Sequence, residues 1–511
     1  MTRKFIIIVG LILFTMSEIM AQQRPNIVVI ISDDHAFQTI GAYGSKMMQT
    51  PGIDRIAKEG ALFTKAYVTN SICGPARASF LSGKYSNLNG FKDNENSNFN
   101  FNQNIFVKDL QKAGYQTAWI GKMHLGENTP QGLDYYSILP AQGEYYNPDF
   151  IETGNKRTHY TGYVSNVVTD ISEKWLDQRD PEKPFCLIIG HKATHRIWLP
   201  DTQDLNLFEN KTFPLPSDFY DAYDTRKAAQ VQDMTIEKTM RMGYDLKMFD
   251  DWAEADKMGA FKRMNPEQKK TVSDHYKKIY ADFKSQNLTG KALTEWKYQR
   301  YMRDYLATAA SLDRNISRTL DYLDKQDLTK NTVVIYLSDQ GFYMGEHGWF
   351  DKRFMYEESF RTPMVMRFPG VIKPGTQITA DIMNLDLAPT LLEIAKAKVP
   401  SDLQGQSFLP LLEHKHYQAR DAMYYHYYEN GEHSVSPHFG IKKGRYKLIR
   451  FYKRVECWEL FDLKKDPREL NNIYNTKQGQ RLAKKLMSEL KRLIQKYKDS
   501  EAEAIFKKKI P

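Results

Sequence analysis

Cysteine is scarce in this chain, which has only Cys73, Cys186 and Cys457 in 511 residues. An odd number of widely separated cysteines excludes a fully paired disulfide framework, and a chain of this length can bury a large core without such links. No group of cysteines and histidines has the spacing of a zinc site. At least one thiol is therefore free.

Beyond the N-terminal segment, no apolar run is long enough to span a bilayer. That segment contains Arg3 and Lys4, then the apolar residues 5–14, and reaches a small residue at Ala21. This pattern predicts a secretory signal peptide over residues 1–21, and its apolar part is too short to cross a membrane. We therefore expect an exported protein, periplasmic or secreted, with no stable membrane anchor.

Between residues 22 and 400, short β-branched apolar segments alternate with helical segments. An alternation of this kind predicts an α/β domain around a mostly parallel sheet, with its ligand site beyond the carboxyl ends of the strands. The predicted strands are 25–34, 115–122, 184–195 and 331–341, and two of the predicted helices are 52–60 and 106–114.

Two other regions have a different character. Residues 202–300 are charged and rich in Met and Lys, which predicts a helical insertion within the catalytic domain 22–400, with helical sequence over 224–242 among others. From residue 401 onward, the alternation in 444–463 and the amphipathic period in 479–497 predict an antiparallel sheet with a helix. We therefore expect a smaller C-terminal subdomain over 401–511.

Polar residues follow two of the predicted strands. Asp33 and Asp34 follow the first strand, and Asp339 and Gln340 follow the strand that begins near residue 331. One such pair alone would also suit a helix cap or a turn. Two such pairs at the ends of two buried strands would gather three carboxylates in one place, and these would repel one another without a cation. Carboxylate and amide oxygens favour Ca²⁺ or Mg²⁺ over Zn²⁺.

Cys73 lies at the predicted start of a short helix. Pro75 suits the first helical turn, Gly83 suits the helix end, and Arg77 follows Cys73 at a helical spacing. Free N–H groups at a helix N-terminus favour negative charge. The pattern predicts an anion-binding pocket beside a potential nucleophile, although the histidine and acid partners of a thiol hydrolase are not evident.

The run Cys73-Gly74-Pro75-Ala76-Arg77, followed by ASFLSGKY, resembles the signature of the type I sulfatases. In that family the cysteine of the motif is oxidised after translation to formylglycine. The resemblance implies an alkaline-phosphatase-like α/β fold, with a large mixed, mostly parallel sheet and a smaller C-terminal antiparallel subdomain. Further similar segments are PNIVVIISDDH, GKMHLG, GHKATHR, residues 336–367 and residues 459–473.

The resemblance also implies a role for individual residues. Asp33, Asp34, Asp339 and Gln340 would hold one Ca²⁺ ion, although many members have asparagine where this chain has Gln340. Cys73, as formylglycine, would supply the nucleophilic oxygen, and Arg77 would stabilise it. The remaining roles are sulfate binding by Lys122 and Lys352, pairing with formylglycine by His124, and protonation of the leaving alcohol by His191, with His195 as the alternative acid or a substrate contact.

Residues 132–152 resemble a segment of sulfatases similar to N-acetylglucosamine-6-sulfatase. We therefore expect removal of a 6-O-sulfate from glucosamine in heparan-type or related glycans, with His433, His438 and Arg445 of the subdomain as substrate contacts. Iduronate 2-sulfate, N-sulfoglucosamine and galactosamine 6-sulfate are competing substrates. The residues are also compatible with a phosphodiesterase of the same superfamily, or with a non-catalytic protein that binds sulfated glycans.

The expected partners are a sulfated carbohydrate and a formylglycine-generating enzyme, with no nucleic acid. The formal net charge of +10 suits a polyanionic substrate. Because such a charge is also ordinary for a lysine-rich protein, it adds little to the prediction.

Overall fold

The computed structural model describes residues 24–431 and 435–508. The predicted signal peptide and His433 lie outside the described residues. Within the described ranges, no helix is long and apolar enough to cross a membrane.

The strands are short, and most lie in one large sheet. In chain order they are β1 (Asn26–Ser32), β2 (Ala61–Phe63), β3 (Ala66–Tyr67), β4 (Gln116–Lys122), β5 (Tyr135–Leu139), β6 (Asp149–Glu152), β7 (Lys156–His159), β8 (Phe185–Gly190), β9 (Thr332–Ser338), β10 (Tyr343–Met344), β11 (Phe350–Asp351), β12 (Arg361–Thr362), β13 (Met364–Arg367), β14 (Thr376–Ile378), β15 (Ile382–Met383), β16 (Met423–Tyr427), β17 (His438–Lys443), β18 (Tyr446–Phe451) and β19 (Cys457–Asp462).

The helices range from single turns to a long helix of 36 residues. In chain order the α-helices are α1 (Pro51–Glu59), α2 (Cys73–Ser82), α3 (Ser86–Asn89), α4 (Phe106–Lys112), α5 (Val164–Gln178), α6 (Lys227–Gln230), α7 (Gly259–Lys262), α8 (Pro266–Gln286), α9 (Gly290–Lys325), α10 (Glu357–Phe360), α11 (Leu387–Ile394), α12 (Leu409–Leu412), α13 (Lys477–Lys496) and α14 (Ser500–Phe506). Short 3₁₀ turns are Phe37–Thr39, Gly41–Tyr43, Thr202–Asp204, Ala255–Lys257, Thr329–Asn331, Glu346–Gly348 and Asn384–Asp386.

The large sheet has ten strands in the order β14-β2-β13-β9-β1-β8-β4-β5-β6-β7. Its central strands β9, β1, β8, β4 and β5 run parallel to one another. The outer pairs β13–β9, β5–β6 and β6–β7 are antiparallel. This mixed sheet with a parallel centre confirms the predicted fold class.

Helices cover both faces of the sheet, and this accounts for the apolar run in β1. Val28 and Ile30 pack into one core, and Ile27, Val29 and Ile31 pack into the core on the opposite face. Each fully buried side chain of this kind contributes about 1.5–3 kcal/mol. A strand buried on both faces therefore has no polar alternation, as the sequence indicated.

The predicted helical insertion needs a correction. Residues 266–286 and 290–325 are helical, but the predicted helix over 224–242 is wrong because only Lys227–Gln230 is α-helical there. In this segment the backbone bonds to another part of the chain: Ile236 N–H donates to Gly348 O at 2.9 Å, and Phe350 N–H donates to Met234 O at 3.0 Å. These long-range bonds replace the i→i−4 bonds that a helix would need.

The C-terminal strands β16 to β19 form an antiparallel sheet, as predicted, and α13 packs against it. Leu448 and Ile449 of this sheet share one hydrophobic core with Trp349 and Phe354, which precede residue 401. The C-terminal sheet therefore packs directly against the segment that contains Trp349 and Phe354. The boundary at residue 400 stays a prediction.

Candidate active site

Chemically active side chains gather at the carboxyl ends of the central strands. Asp33 follows β1, Lys122 ends β4, and Asp339 follows β9. The backbone fixes these ends to one another, because Asp33 N–H donates to Ala193 O at 3.1 Å and Asp339 N–H donates to Ser32 O at 3.1 Å. Parallel pairing of neighbouring strands thus brings together residues that are about 300 positions apart in the chain.

Glycine permits the close approach of two of these strand ends. Gly121 of β4 pairs with Gly190 of β8, and Gly121 has a positive φ of 95°. A Cβ at Gly121 would overlap the Gly190 carbonyl oxygen. Because neither glycine has a side chain, strands β4 and β8 can approach closely at this point. The residues that come next in the chain, Lys122 and His191, then lie at the same edge of the sheet.

Three carboxylates form the centre of the site. Asp33, Asp34 and Asp339 each contribute an oxygen to a group whose atoms lie within 4.8 Å of one another, and all three side chains are buried. Cations surround them: Lys122 bonds to Asp33, Lys352 Nζ lies 2.6 Å from Asp34 Oδ2, and Arg77 Nε lies 2.9 Å from Asp339 Oδ2. Gln340 also bonds to Asp34 through its amide nitrogen.

This group fits a hard divalent cation. Asp33 Oδ1 and Gln340 Oε1 are buried oxygens without a hydrogen-bond partner. Burial raises the pKa of Asp34 to about 6 and the pKa of Asp339 to about 7, against the pull of the neighbouring cations. A donor set of carboxylate and amide oxygens suits Ca²⁺ or Mg²⁺, and such an ion would relieve the repulsion.

Cys73 is the first residue of α2 and is buried beside the carboxylates. Helix α2 ends at Gly83, which has the predicted left-handed conformation with φ 64°. Burial raises the pKa of the Cys73 thiol well above its usual value, and the negative charge of Asp33 adds to the shift. The thiol therefore lies at the start of α2 in a buried surrounding beside the acidic strand ends.

The start of α2 is held by the loop that follows α3 and contains Asn94. Asn94 Oδ1 accepts a hydrogen bond from Gly74 N–H at 3.1 Å, and Glu429 Oε2 accepts one from Asn94 N–H at 3.2 Å. A Cβ at Gly74 would lie 2.6 Å from Asn94 Oδ1. The loop, the helix start and a residue that follows β16 therefore form one continuous wall.

Arg77 connects the strand ends. Its guanidinium donates to Asp339, to Lys122 O at 2.8 Å and to Ser32 O at 3.4 Å. The side chain is completely buried, so these bonds are not exchanged with water. Arg77 therefore positions the carboxylates and α2 rather than facing an open cavity.

The three predicted histidines have different environments. A cavity opens above Cys73, and His124 lines it and has a buried Nδ1 without a hydrogen-bond partner. A ring nitrogen of His195, an Asp33 oxygen and Cys73 Sγ lie within 4.8 Å of one another, and His195 also lines the cavity. His191 is fully buried, and neither of its ring nitrogens has a partner.

The geometry favours His195 over His191 as the leaving-group acid, and the choice between them stays a prediction. Burial lowers the pKa of both rings, to about 3 for His191 and well below the usual value for His195, so the pKa does not separate them. The cavity does separate them, because His195 lines it and His191 does not. The motif GHKATHR could not separate the two histidines, because both belong to one irregular segment after β8.

A cavity of about 340 Å³ opens above Cys73. Lys352 lines it, whereas Lys122 is withdrawn into bonds with Asp33 and Gln142. Sequence reasoning missed most of the remaining wall, since these residues have no shared motif. The additional lining residues are Ile72, Asn94, Glu95, Gln142, Arg196, Trp198, Tyr244, Phe342, Phe350, Asp351, Arg353 and Glu429.

The structure places two of the predicted contacts from the C-terminal subdomain, His438 and Arg445, away from the cavity. His438 is buried, with Met355 N–H donating to its Nε2 at 3.0 Å and its Nδ1 2.8 Å from Ser436 O. Arg445 lies in the β17–β18 turn and pairs with Asp462 at 2.8 Å. Neither residue lines the cavity, and among the described residues of this region it is Glu429 that does.

Comparisons with known proteins agree with this geometry. The family model described as "Sulfatase" matches residues 25–397, and the one described as "N-sulphoglucosamine sulphohydrolase, C-terminal" matches residues 345–496. N-acetylglucosamine-6-O-sulfatase of Bacteroides thetaiotaomicron is 46% identical over 493 residues, which cover 94% of this chain and 88% of that protein.

Solved structures show the same architecture. A structure of a protein in complex with its substrate D-glucosamine-2-N,6-O-disulfate has a TM-score of 0.91 and 45% identity, and the match covers 95% of this chain and 100% of that one. Phosphonate monoester hydrolase of Agrobacterium radiobacter has a TM-score of 0.69 and 18% identity, with 93% and 96% of the two chains covered. The second likeness shows a shared fold alone.

Proposed function

Because the chain belongs to the sulfatase family and is a sulfuric ester hydrolase that acts on glycans, we propose that it removes the 6-O-sulfate of glucosamine or N-acetylglucosamine. The observation that carries this proposal is Cys73 at the floor of a sugar-sized cavity, beside three carboxylates and Lys352. The relative named as a 6-O-sulfatase supports the position of the sulfate, and the matching structure with D-glucosamine-2-N,6-O-disulfate supports a sulfated glucosamine as the substrate. Heparan-type glycans contain this unit.

We propose that Asp33, Asp34, Asp339 and Gln340 hold one Ca²⁺ ion. The unpartnered oxygens of Asp33 and Gln340 support this assignment. When bound, the ion would supply positive charge for the sulfate oxygens. Lys352, whose ammonium group lies at the cavity, would add a second positive charge to the same oxygens, and Lys122 would reinforce the field from behind Asp33.

We propose further that a formylglycine-generating enzyme oxidises Cys73 to formylglycine. The hydrated form of that residue would supply an oxygen nucleophile, which the protonated thiol cannot provide. The wall formed by Asn94 and α2 would hold residue 73 in line with the sulfur, and Arg77 would keep α2 against the strand ends.

Proton transfer is assigned to the two histidines that line the cavity. His195 would protonate the leaving sugar oxygen, because its ring lies near Cys73 and opens onto the cavity. His124, which lines the same cavity, would accept a proton from residue 73. The position of Nδ1 in His124, which is without a protein partner, supports this role.

Export to the periplasm or the medium is part of the proposal. It rests on the sequence pattern of residues 1–21 alone. The oxidation of Cys73 would precede folding, since the residue is buried in the folded protein.

A second candidate is cleavage of an N-sulfate. The family model described as N-sulphoglucosamine sulphohydrolase, C-terminal, matches residues 345–496, which include the cavity residue Glu429. Both candidates act on a glucosamine unit, which this match supports. The preference for the 6-O-sulfate over the N-sulfate rests on the relative named as a 6-O-sulfatase.

The experiment is a measurement of sulfate release from a panel of sugars by protein made with a formylglycine-generating enzyme. The panel contains N-acetylglucosamine 6-sulfate, N-sulfoglucosamine, iduronate 2-sulfate and galactosamine 6-sulfate, together with a phosphodiester. We expect release from the 6-sulfated glucosamine and loss of that release in Cys73→Ala. Preferential release from another sugar, or faster phosphodiester cleavage, would overturn the substrate assignment.

A further inference from the structure

A second cavity, of about 350 Å³, adjoins the cavity above Cys73. Asn94 and His124 line both cavities, so the two spaces share one wall. Its volume falls within the usual range for small-ligand sites, at the lower end. Because of the shared wall, the second cavity lies directly beside the reacting centre.

The wall of the second cavity combines apolar and polar surfaces. Met123, Leu125 and Leu139 present apolar side chains that are otherwise buried, and the exposed Asn128 and Asn155 line the same space. A sugar ring has an apolar C–H face and polar hydroxyl edges, so this combination suits a monosaccharide unit.

One positive charge at this cavity is poorly compensated. Arg157 lines the cavity, its side chain is 65% exposed, and Asp149 Oδ2 lies 3.8 Å from its Nη1. Asp149 already has shorter contacts, at 2.6 Å to Arg263 and 3.0 Å to His159. Both of those contacts use Asp149 Oδ1, and the contact between Arg157 and Oδ2 is too long for a hydrogen bond, so the Arg157 guanidinium remains available for another anion.

Glu127 is the carboxylate in the same lining and is exposed. Its backbone N–H donates to Asn98 Oδ1 at 2.8 Å, which fixes the loop without using the side chain. Glu127 and Arg157 therefore form a natural matched pair for testing charge in this cavity.

We propose that the second cavity binds the sugar unit adjacent to the one that loses its sulfate, and that Arg157 pairs with an anionic group on that unit. The anionic group is a carboxylate or a sulfate. The inference rests on the proposed function, since it takes the first cavity as the site of the desulfated glucosamine. It makes the protein selective for the neighbour of the reacting sugar as well as for that sugar.

The test compares kcat/KM for N-acetylglucosamine 6-sulfate with that for three disaccharides containing it, linked to a uronic acid, to a sulfated hexose or to a neutral hexose. We expect an anionic neighbour to raise kcat/KM by about 2- to 5-fold over the neutral one, the size of an exposed ion pair. The uronic acid and sulfated arms identify which anion is preferred. Arg157→Gln should abolish the difference and leave the monosaccharide rate unchanged, and Glu127→Gln should keep the difference.

Equal values for anionic and neutral disaccharides, or an equal loss on all substrates in Arg157→Gln, would overturn the inference. Calorimetric binding of the uronic acid disaccharide to Cys73→Ala provides a readout without turnover. Weaker binding in Cys73→Ala/Arg157→Gln supports the subsite, and identical binding refutes it. Failure of the proposed function differs from both outcomes, because the 6-sulfated monosaccharide itself would then release no sulfate.

Discussion

The inner end and the outer wall of the cavity are built in different ways. At the inner end Asp34 lines the cavity, with Asp33 and Asp339 grouped beside it at strand ends, and each of the three is buried and paired with a cation. The outer wall includes Glu429 and Tyr244 from irregular segments, and Tyr244 is 39% exposed. The inner end thus has the rigidity that reaction chemistry needs, whereas the wall can change without disturbing the sheet.

The comparison predicts that substitutions lose less activity the farther they lie from the inner end. Removal of the residue-73 side chain gives the largest effect. Cys73→Ala should lower sulfate release by about 10³-fold or more, because it removes the nucleophile of the proposed mechanism. Intact mass and sulfate release measure the aldehyde and the activity together. Cys457→Ser is the control, since Cys457 lies in the C-terminal sheet and should retain activity; substantial turnover by Cys73→Ala would contradict the mechanism.

The next largest effect concerns the buried charge pair. Asp339→Asn leaves Arg77 without its carboxylate partner, and breaking a buried pair in this way costs about 3–5 kcal/mol. Unfolding followed by calorimetry should show a lower Tm than the parent, and added Ca²⁺ should raise the Tm of the parent only.

Asp402→Asn serves as the control, because the Asp402 side chain is 46% exposed and its pair with Lys84 lies away from the cavity. A parent protein whose Tm and activity do not respond to a chelator would refute the metal assignment.

A third prediction separates the two histidines. His195→Asn should lower turnover of the sugar sulfate by about 10²-fold, the usual contribution of a general acid. Nitrophenyl sulfate should lose much less, since its leaving group needs no proton. His191→Asn should show no such split between the substrates. If only His191→Asn produced the split, the acid would be His191 after all.

Glu429→Gln tests the outer wall with a smaller expected effect. Glutamine keeps the carbonyl oxygen that accepts from Asn94 N–H, but it removes the negative charge at the cavity. Loss of one hydrogen bond to a sugar hydroxyl should raise KM by about 2- to 10-fold with kcat nearly unchanged. A large fall in kcat would place Glu429 with the inner end instead.

Arg445→Ala gives the smallest expected effect. Arg445 is exposed and pairs with Asp462 in a turn outside the cavity, so stability should change by less than about 1 kcal/mol. Its kinetic constants for the 6-sulfated monosaccharide should equal those of the parent. A raised KM would instead indicate that Arg445 contacts the substrate, although it does not line the cavity.

The sequence predicted those features that neighbouring residues determine. The strands that precede Asp33 and Asp339, and the helix from Cys73 to Gly83, follow from local apolar runs and turn residues. The grouping of the three aspartates could also be predicted, since parallel strands end at one edge of the sheet. Recognition of the family added the roles of residues that have no local signal, such as Lys352.

Local patterns failed where the decisive contacts were distant in sequence. The segment over 224–242 has helical composition, yet its backbone bonds to Gly348 and Phe350. His191 and His195 are four residues apart, and only the path of the chain after β8 decides which one opens onto the cavity.

By itself, the sequence determined the sheet, the start of α2 and the acidic strand ends, because each depends on residues close together in the chain. Only the tertiary structure decided that Glu429, rather than His438 or Arg445, completes the cavity wall. The C-terminal sheet packs in one core with Trp349 and Phe354, and Glu429 follows its strand β16. That choice depends on the fit between two distant surfaces, which a linear pattern does not encode.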